Sequence, residues 1–153
     1  MRLKDFTPTF TLVMGGAGSG KNYYIENTPG LSSAWLVDVD AVKIGTDLDS
    51  AIKMIKPMLE EAFQSGINVA HPTTGSNLKG QINKIALAKK YNYRIHLILI
   101  DTNPEQAAQQ VQRRVDAGGH NVEADKILSS NLRARENFEQ LKQYADESKI
   151  VSN

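Results

Sequence analysis

Five short apolar runs interrupt an otherwise mixed chain: FTLVM (10–14), AWLVDV (34–39), INVAH (67–71), RIHLILI (94–100) and KIVS (149–152). Each has strand length, is rich in Val, Ile and Leu, and is bounded by turn residues, which predicts five β-strands. Between them the apolar period changes. From 49 to 63 apolar residues fall at 51, 52, 54, 55, 58, 59, 62 and 63, predicting a helix with Pro57 as an internal kink or break and Gly66 as its end. Leu78 to Ala88 reads as a second helix. A third is expected from TNPEQ, where Thr102 or Asn103 can cap and Pro104 takes the first helical position, to Gly118-Gly119. The last should run from about Val122 to Tyr144. Strands that are nearly continuous in apolar residues and alternate with helices imply a parallel sheet covered on both faces, an α/β fold. Ligands of such sheets bind beyond the carboxyl ends of the strands, so the polar residues that follow each strand carry the candidate chemistry.

After the first strand stands GGAGSGKN. Gly15, four residues, Gly20 and Lys21 have the Walker A spacing, and a helix-like NYYIEN follows. Glycines allow successive backbone N–H groups to turn inward as an anion nest, and the next helix adds its positive N-terminal end. The expected phosphate-binding set is Gly15, Gly16, Ala17, Gly18, Ser19, Gly20, Lys21 and Asn22, with Lys21 bridging β- and γ-phosphates. A magnesium-binding Ser or Thr should follow the lysine, yet Asn22 does, offering an amide oxygen in its place.

The second strand closes in VDVDAVK. Asp38 and Asp40 are two apart on a segment expected to be extended, so both carboxylates should point to one side. Asp40 is the candidate base for an acceptor hydroxyl; Asp38 is a candidate for metal or substrate orientation, and Lys43 for meeting an anionic substrate. The third strand ends HPTTGSN, where Thr73, Thr74 and Ser76 offer hydroxyls to the cleft, although turn and cap duty explains Ser76 and Asn77 equally well. His71 has no partner pair among His96 and His120 for a histidine metal site. Arg113 and Arg114 precede a glycine-hinged loop, a placement that suits a lid over phosphates, since the guanidinium fork contacts two oxygens at once. Arg133 and Arg135 on the last helix are weaker candidates.

Composition narrows the class. At 153 residues one domain (1–153) is expected, and 41% hydrophobic with 23% charged residues favours neither disorder nor a membrane protein. With no cysteine there is no disulfide framework or thiolate site. Only a five-residue apolar run, FTLVM, precedes Gly15, too short for a signal core, so the cytoplasm is the expected location. Residues 76–153 hold 12 Lys/Arg against 9 Asp/Glu, which is compatible with meeting phosphates or with a solvated helical surface.

Taken together, GGAGSGK, DVDAVK, the paired threonines and above all RRVDAGGHNVEADKI resemble the zeta toxin-like kinases, a branch of the P-loop small-molecule kinases. The resemblance runs from about Thr9 to the end. It implies a five-stranded parallel sheet flanked by helices, a helical lid at about 104–135, and ATP or GTP with Mg2+. The implied reaction is γ-phosphate transfer to a small-molecule hydroxyl, such as that of a nucleotide or nucleotide-sugar. Lys21 would hold phosphate, Asp40 accept the hydroxyl proton, Thr74 contact the acceptor, and Arg113 or Arg114 serve as lid arginine. An antitoxin or other protein partner comes with the resemblance. The sequence departs from the family at Asn22, at Pro72 where sugar-kinase members carry a glutamate, and at Ser130 or Asn131 where a second lid arginine is expected. Two alternatives stay open: a nucleotide-binding switch or catalytically impaired member acting through a partner, and a kinase of nucleic acid 5′-hydroxyl ends. Against the latter, no basic stripe is interleaved with aromatics.

Overall fold

The computed structural model of the chain describes residues 6–16, 19–39, 48–103, 105–106, 109, 112–113, 116 and 124–152, without the side chains of 48, 49, 51, 52, 124, 125, 127 and 128. Its strands are β1 (Thr9–Met14), β2 (Trp35–Leu36), β3 (Val69–Thr73), β4 (Arg94–Asp101) and β5 (Glu147–Ser152). Its helices are α1 (Lys21–Glu26), α2 (Leu48–Ser65), α3 (Leu78–Lys90) and α4 (Ala124–Leu141), the last extended by a 3-10 turn over Lys142–Tyr144. All five strands are parallel, in the order β2-β3-β1-β4-β5. This is the expected five-stranded parallel sheet flanked by helices.

Central β1 is buried at every position after Thr9 because both its faces are covered. On one face Phe10, Leu12 and Met14 join Val69, Ile95, Leu97 and Leu99, and α2, α3 and α4 close over them with Leu59, Phe63, Ile85, Ala134, Phe138 and Leu141. The opposite face is smaller: Val13, Ala70, Ile98 and Ile100 pack under Ile25 of α1. Strand order reverses at β1, since the chain goes out to β2, returns through β3 and crosses to β4. A crevice at the carboxyl end of β1, flanked by the ends of β3 and β4, is the place this topology offers a ligand.

Pro57 neither breaks α2 nor ends it. It lies on the solvent-facing side, and the helix continues to Ser65 before Gly66 turns it at φ 74°. Asn77 caps α3 by accepting from the Gly80 amide at 3.0 Å. The stretch expected to form a helix from TNPEQ to Gly118 is helical at 105–106, 109, 112–113 and 116, and the rest of it lies outside the described residues.

The largest departure is β2. An extended run over 34–39 was expected, but only Trp35 and Leu36 pair with β3, and Val39 already has helical geometry. The alternation that was to set Asp38 and Asp40 on one side therefore does not persist through Val39.

Phe63 marks where the larger core is tightest, meeting Phe10 edge-on at 5.1 Å and Tyr93 at 4.9 Å between ring centroids. Phe63→Ala should cost about 3–5 kcal/mol in urea unfolding. Met54→Ala, on the exposed side of the same helix, should stay within about 0.5 kcal/mol.

Candidate active site

At the end of β1 the chain leaves the sheet still tied to β3, the Gly15 amide donating to Thr73 O at 3.2 Å. Little space surrounds it. A Cβ on Gly15 would lie 2.4 Å from Ser19 Oγ, and one on Gly16 would lie 2.5 Å from Asn131 Cγ. Gly20 takes φ 87°, a left-handed conformation suited to glycine, and α1 starts at the next residue. The Lys21 ammonium reaches back across the loop and donates to the carbonyls of Gly15 at 2.9 Å and Gly16 at 3.2 Å. Gly15, Gly16, Ser19, Gly20, Lys21 and Asn22 are thus gathered in one tight turn; Ala17 and Gly18 lie outside the described residues.

A brace from β4 completes this turn. Thr102, fully buried, donates its hydroxyl to Ser19 O at 3.2 Å, while Asn103 performs the turn that precedes the next helix by accepting from the Glu105 amide at 2.8 Å. The choice between Thr102 and Asn103 as cap thus resolves to Asn103. The role of Thr102 was missed; its signal was its place directly after a strand beside the glycine loop.

Asn22 donates through Nδ2 to Asp38 Oδ2 at 3.1 Å, joining the start of α1 to the segment after β2. Asp38 is nearly buried. With the donor end of its amide turned to Asp38, Asn22 keeps its acceptor oxygen on the other side. Among the described residues no group of three or more His, Asp or Glu side chains could hold a metal by itself. Asp40 and Lys43 lie outside the described residues.

The threonines after β3 are engaged in a turn. Thr73 Oγ1 accepts from the Gly75 amide at 3.2 Å, and Thr74 Oγ1 lies 3.1 Å from Ser76 Oγ while accepting from the Ser76 amide at 3.4 Å. Gly75 is left-handed at φ 71°, with Met14 Cε 2.3 Å from where a Cβ would stand, and Asn137 of α4 donates to its carbonyl at 2.6 Å.

Arg113 is helical and exposed, and Arg114 lies outside the described residues. On α4, Arg133 is exposed, whereas Arg135 pairs through Nε with Asp101 Oδ1 at 2.5 Å, at the carboxyl end of β4. Asn131 is buried beside Gly16, so an amide presses on the glycine loop near where an arginine was expected.

Below the loop lies a polar group that the metal question had set aside. His71 is buried, with Nδ1 2.6 Å from Val37 O and Nε2 2.9 Å from Lys84 Nζ. Burial, assisted by the Lys84 charge and opposed by the Val37 hydrogen bond, brings the imidazole down to about 3. Burial also lowers Lys84 to about 8.

Two outcomes are expected. Gly16→Ala should weaken nucleotide binding about tenfold or more in a direct titration, and Asn131→Ala should restore part of it by removing the atoms the new Cβ meets. Second, because the folded pKa of His71 lies below its unfolded value, its contribution is complete above about 6.5 and is lost as pH falls toward about 3. Unfolding measured across that window should show a steeper acid loss in the parent than in His71→Asn.

Comparison with curated protein sequences finds no match. Among solved structures, the chain superposes on one from the PezAT toxin-antitoxin system of the human pathogen Streptococcus pneumoniae with a TM-score of 0.76 and 18% identity, covering 96% of this chain and 69% of that one. A Pnkp1/Rnl/Hen1 RNA repair complex gives 0.72 at 18% identity, covering 91% and 49%. The AvrRxo1-ORF1:-ORF2 complex with ATP gives 0.68 at 17%, covering 92% and 51%. The chain therefore spans about half the length of the last two, and these likenesses speak for the fold. The sequence model of the zeta toxin family matches residues 29–153, a stretch that begins after the glycine loop. Family and fold together support a P-loop phosphotransferase, and the chain belongs to the zeta toxin family.

Proposed function

We propose that the chain is a kinase that moves the γ-phosphate of ATP or GTP to a hydroxyl of a small molecule, a nucleotide or nucleotide-sugar being the class in view. One observation carries this reading: the turn that gathers Gly15, Gly16, Ser19 and Gly20, with the Lys21 ammonium laid across it and Asn22 bonded to Asp38, lies at the crevice that the strand order creates. Phosphoryl transfer asks little covalent chemistry of a protein, and positioning with charge stabilisation supplies most of the rate. In the proposed roles, backbone amides and Lys21 hold the β- and γ-phosphates. Asp40 accepts the hydroxyl proton. Arg113 and Arg114 meet the charge that develops on the phosphoryl oxygens, and Lys43, Thr73 and Thr74 contact the acceptor.

Magnesium fits Asp38 but not Asn22 and Asp38 as a pair. Asn22 turns its amide N–H to the Asp38 carboxylate, so its oxygen does not face an ion that the carboxylate would take. Asp38 would hold Mg2+ beside waters and phosphate oxygens, and when bound the ion would offset negative charge on the phosphates.

A second reading has an observation of its own. Asn131 stands against Gly16 where the family resemblance leads one to expect an arginine, and Asn22 follows Lys21 in place of Ser or Thr. Both favour a nucleotide-binding switch or a slowed member that acts through a protein partner, of which an antitoxin is the kind suggested by the family and by the PezAT neighbour. No helix among the described residues is long and apolar enough to cross a membrane, and the cytoplasm is the proposed location.

The two readings part on turnover. With magnesium and ATP or GTP, offered nucleosides, UDP-sugars and 5′-hydroxyl oligonucleotides in turn, the kinase reading expects one acceptor class to gain phosphate. Lys21→Ala should slow it about a hundredfold or more, and Asp40→Asn about a hundredfold to ten-thousandfold. Asn22→Ser should lower the magnesium concentration required. Nucleotide binding without transfer to any acceptor would establish the switch; unchanged transfer by Asp40→Asn would remove Asp40 from its role.

A further inference from the structure

The short β2 and the buried His71 have a common cause in Pro72. In a parallel ladder the bonds advance two residues at a time, and here Trp35 N donates to Asn68 O at 2.8 Å and Val37 N to Ala70 O at 2.9 Å. The register Trp35↔Val69, Leu36↔Ala70 sets Val37 opposite His71, so the next bond would run from the amide of residue 72 to Val37 O. Residue 72 is proline and has no N–H to give. Val37 is fully buried, and a carbonyl left unmatched there would be costly. Instead, His71 Nδ1 lies 2.6 Å from that carbonyl.

The direction of the bond is fixed from behind. Lys84 Nζ, 2.9 Å from His71 Nε2 and 3.4 Å from Gln81 Oε1, is a donor when charged and makes Nε2 the acceptor. The imidazole proton therefore resides on Nδ1, where it donates to Val37 O. Phe10 stacks on the ring at 6.3 Å and keeps it in that plane. One residue after the anchored carbonyl is Asp38, whose carboxylate accepts from Asn22.

We infer that His71 is a positioning residue: it supplies to Val37 the hydrogen bond that Pro72 cannot, with Lys84 holding its tautomer, and thereby sets the Asp38 carboxylate against Asn22 at the phosphate loop. With the Val37 carbonyl held, the backbone turns at Val39, one residue after the Asp38 that meets Asn22. This rests on the reading of Asp38 as part of the phosphoryl-transfer site.

The test separates the two ring nitrogens. His71→Asn retains a donor near the Nδ1 position and gives up the Lys84 partner; His71→Gln reaches toward Lys84 and gives up the donor to Val37. Pro72→Ala restores a backbone N–H at residue 72. In full-length protein, His71→Gln should exchange the Val37 amide about fivefold faster or more. It should also lower kcat by about fivefold or more, with nucleotide Kd within about twofold of the parent. Pro72→Ala in the Gln background should recover both, and His71→Asn should resemble the parent. Equal damage from Asn and Gln, or failure of Pro72→Ala to recover the Val37 amide, overturns the anchoring. Recovery of exchange without recovery of kcat overturns the positioning role. A parent that phosphorylates no acceptor defeats the kinase reading instead, and the exchange comparison still decides whether His71 anchors Val37.

Discussion

Close approach governs the carboxyl edge of this sheet. Gly15 and Gly16 leave no room for a side chain because Ser19, Ile100 O and Asn131 crowd them, and the turn can be that tight only because Gly20 accepts a left-handed backbone. Tightness then determines what the rest must do. A turn so compact has its carbonyls directed at its own lysine, its Ser19 carbonyl held by Thr102, and its flank covered by α4. The surrounding elements serve as walls to that turn as much as they serve as core.

The wall from α4 does two jobs with one helical face. Asn131, Ala134, Phe138 and Leu141 recur at helical spacing and are all buried, so the face that fills the apolar cluster at its lower end meets the glycine loop at its upper end. Arg135 and Asn137, adjoining that face, tie the ends of β4 and β3 through Asp101 and Gly75. Loss of packing at Phe138 would therefore be felt at the loop, through the helix that spans both.

Much of this was legible from residue order. Four of the five strands stand close to where apolar runs placed them, because strands covered on both faces must be apolar at almost every position. The glycine loop was legible for a different reason, since its spacing reflects backbone conformation and close approach. What escaped reading was the long-range: β2 looked like six residues of strand, yet its pairing depends on a proline more than thirty residues away. Thr102 and His71 escaped for the same reason, as their partners are a carbonyl of the loop and a carbonyl just past the end of β2. A side chain bonded to distant backbone leaves no periodic trace. Thr73 and Thr74, read as reaching for an acceptor, are found bonded within their own turn, a duty that local sequence had offered equally only for Ser76 and Asn77.

Gly75 carries an implication for how this site can diversify. Its backbone is left-handed, Met14 occupies the space a side chain would need, and Asn137 holds its carbonyl. Any lineage or engineering effort that retunes the crevice beside the end of β3 is therefore barred from the middle of that turn. Change must enter through Thr74 and Ser76, which flank the glycine and whose side chains are at least partly open to solvent. The glycine that has no room for a side chain thus channels novelty to its two neighbours, giving the turn a fixed frame with two adjustable positions.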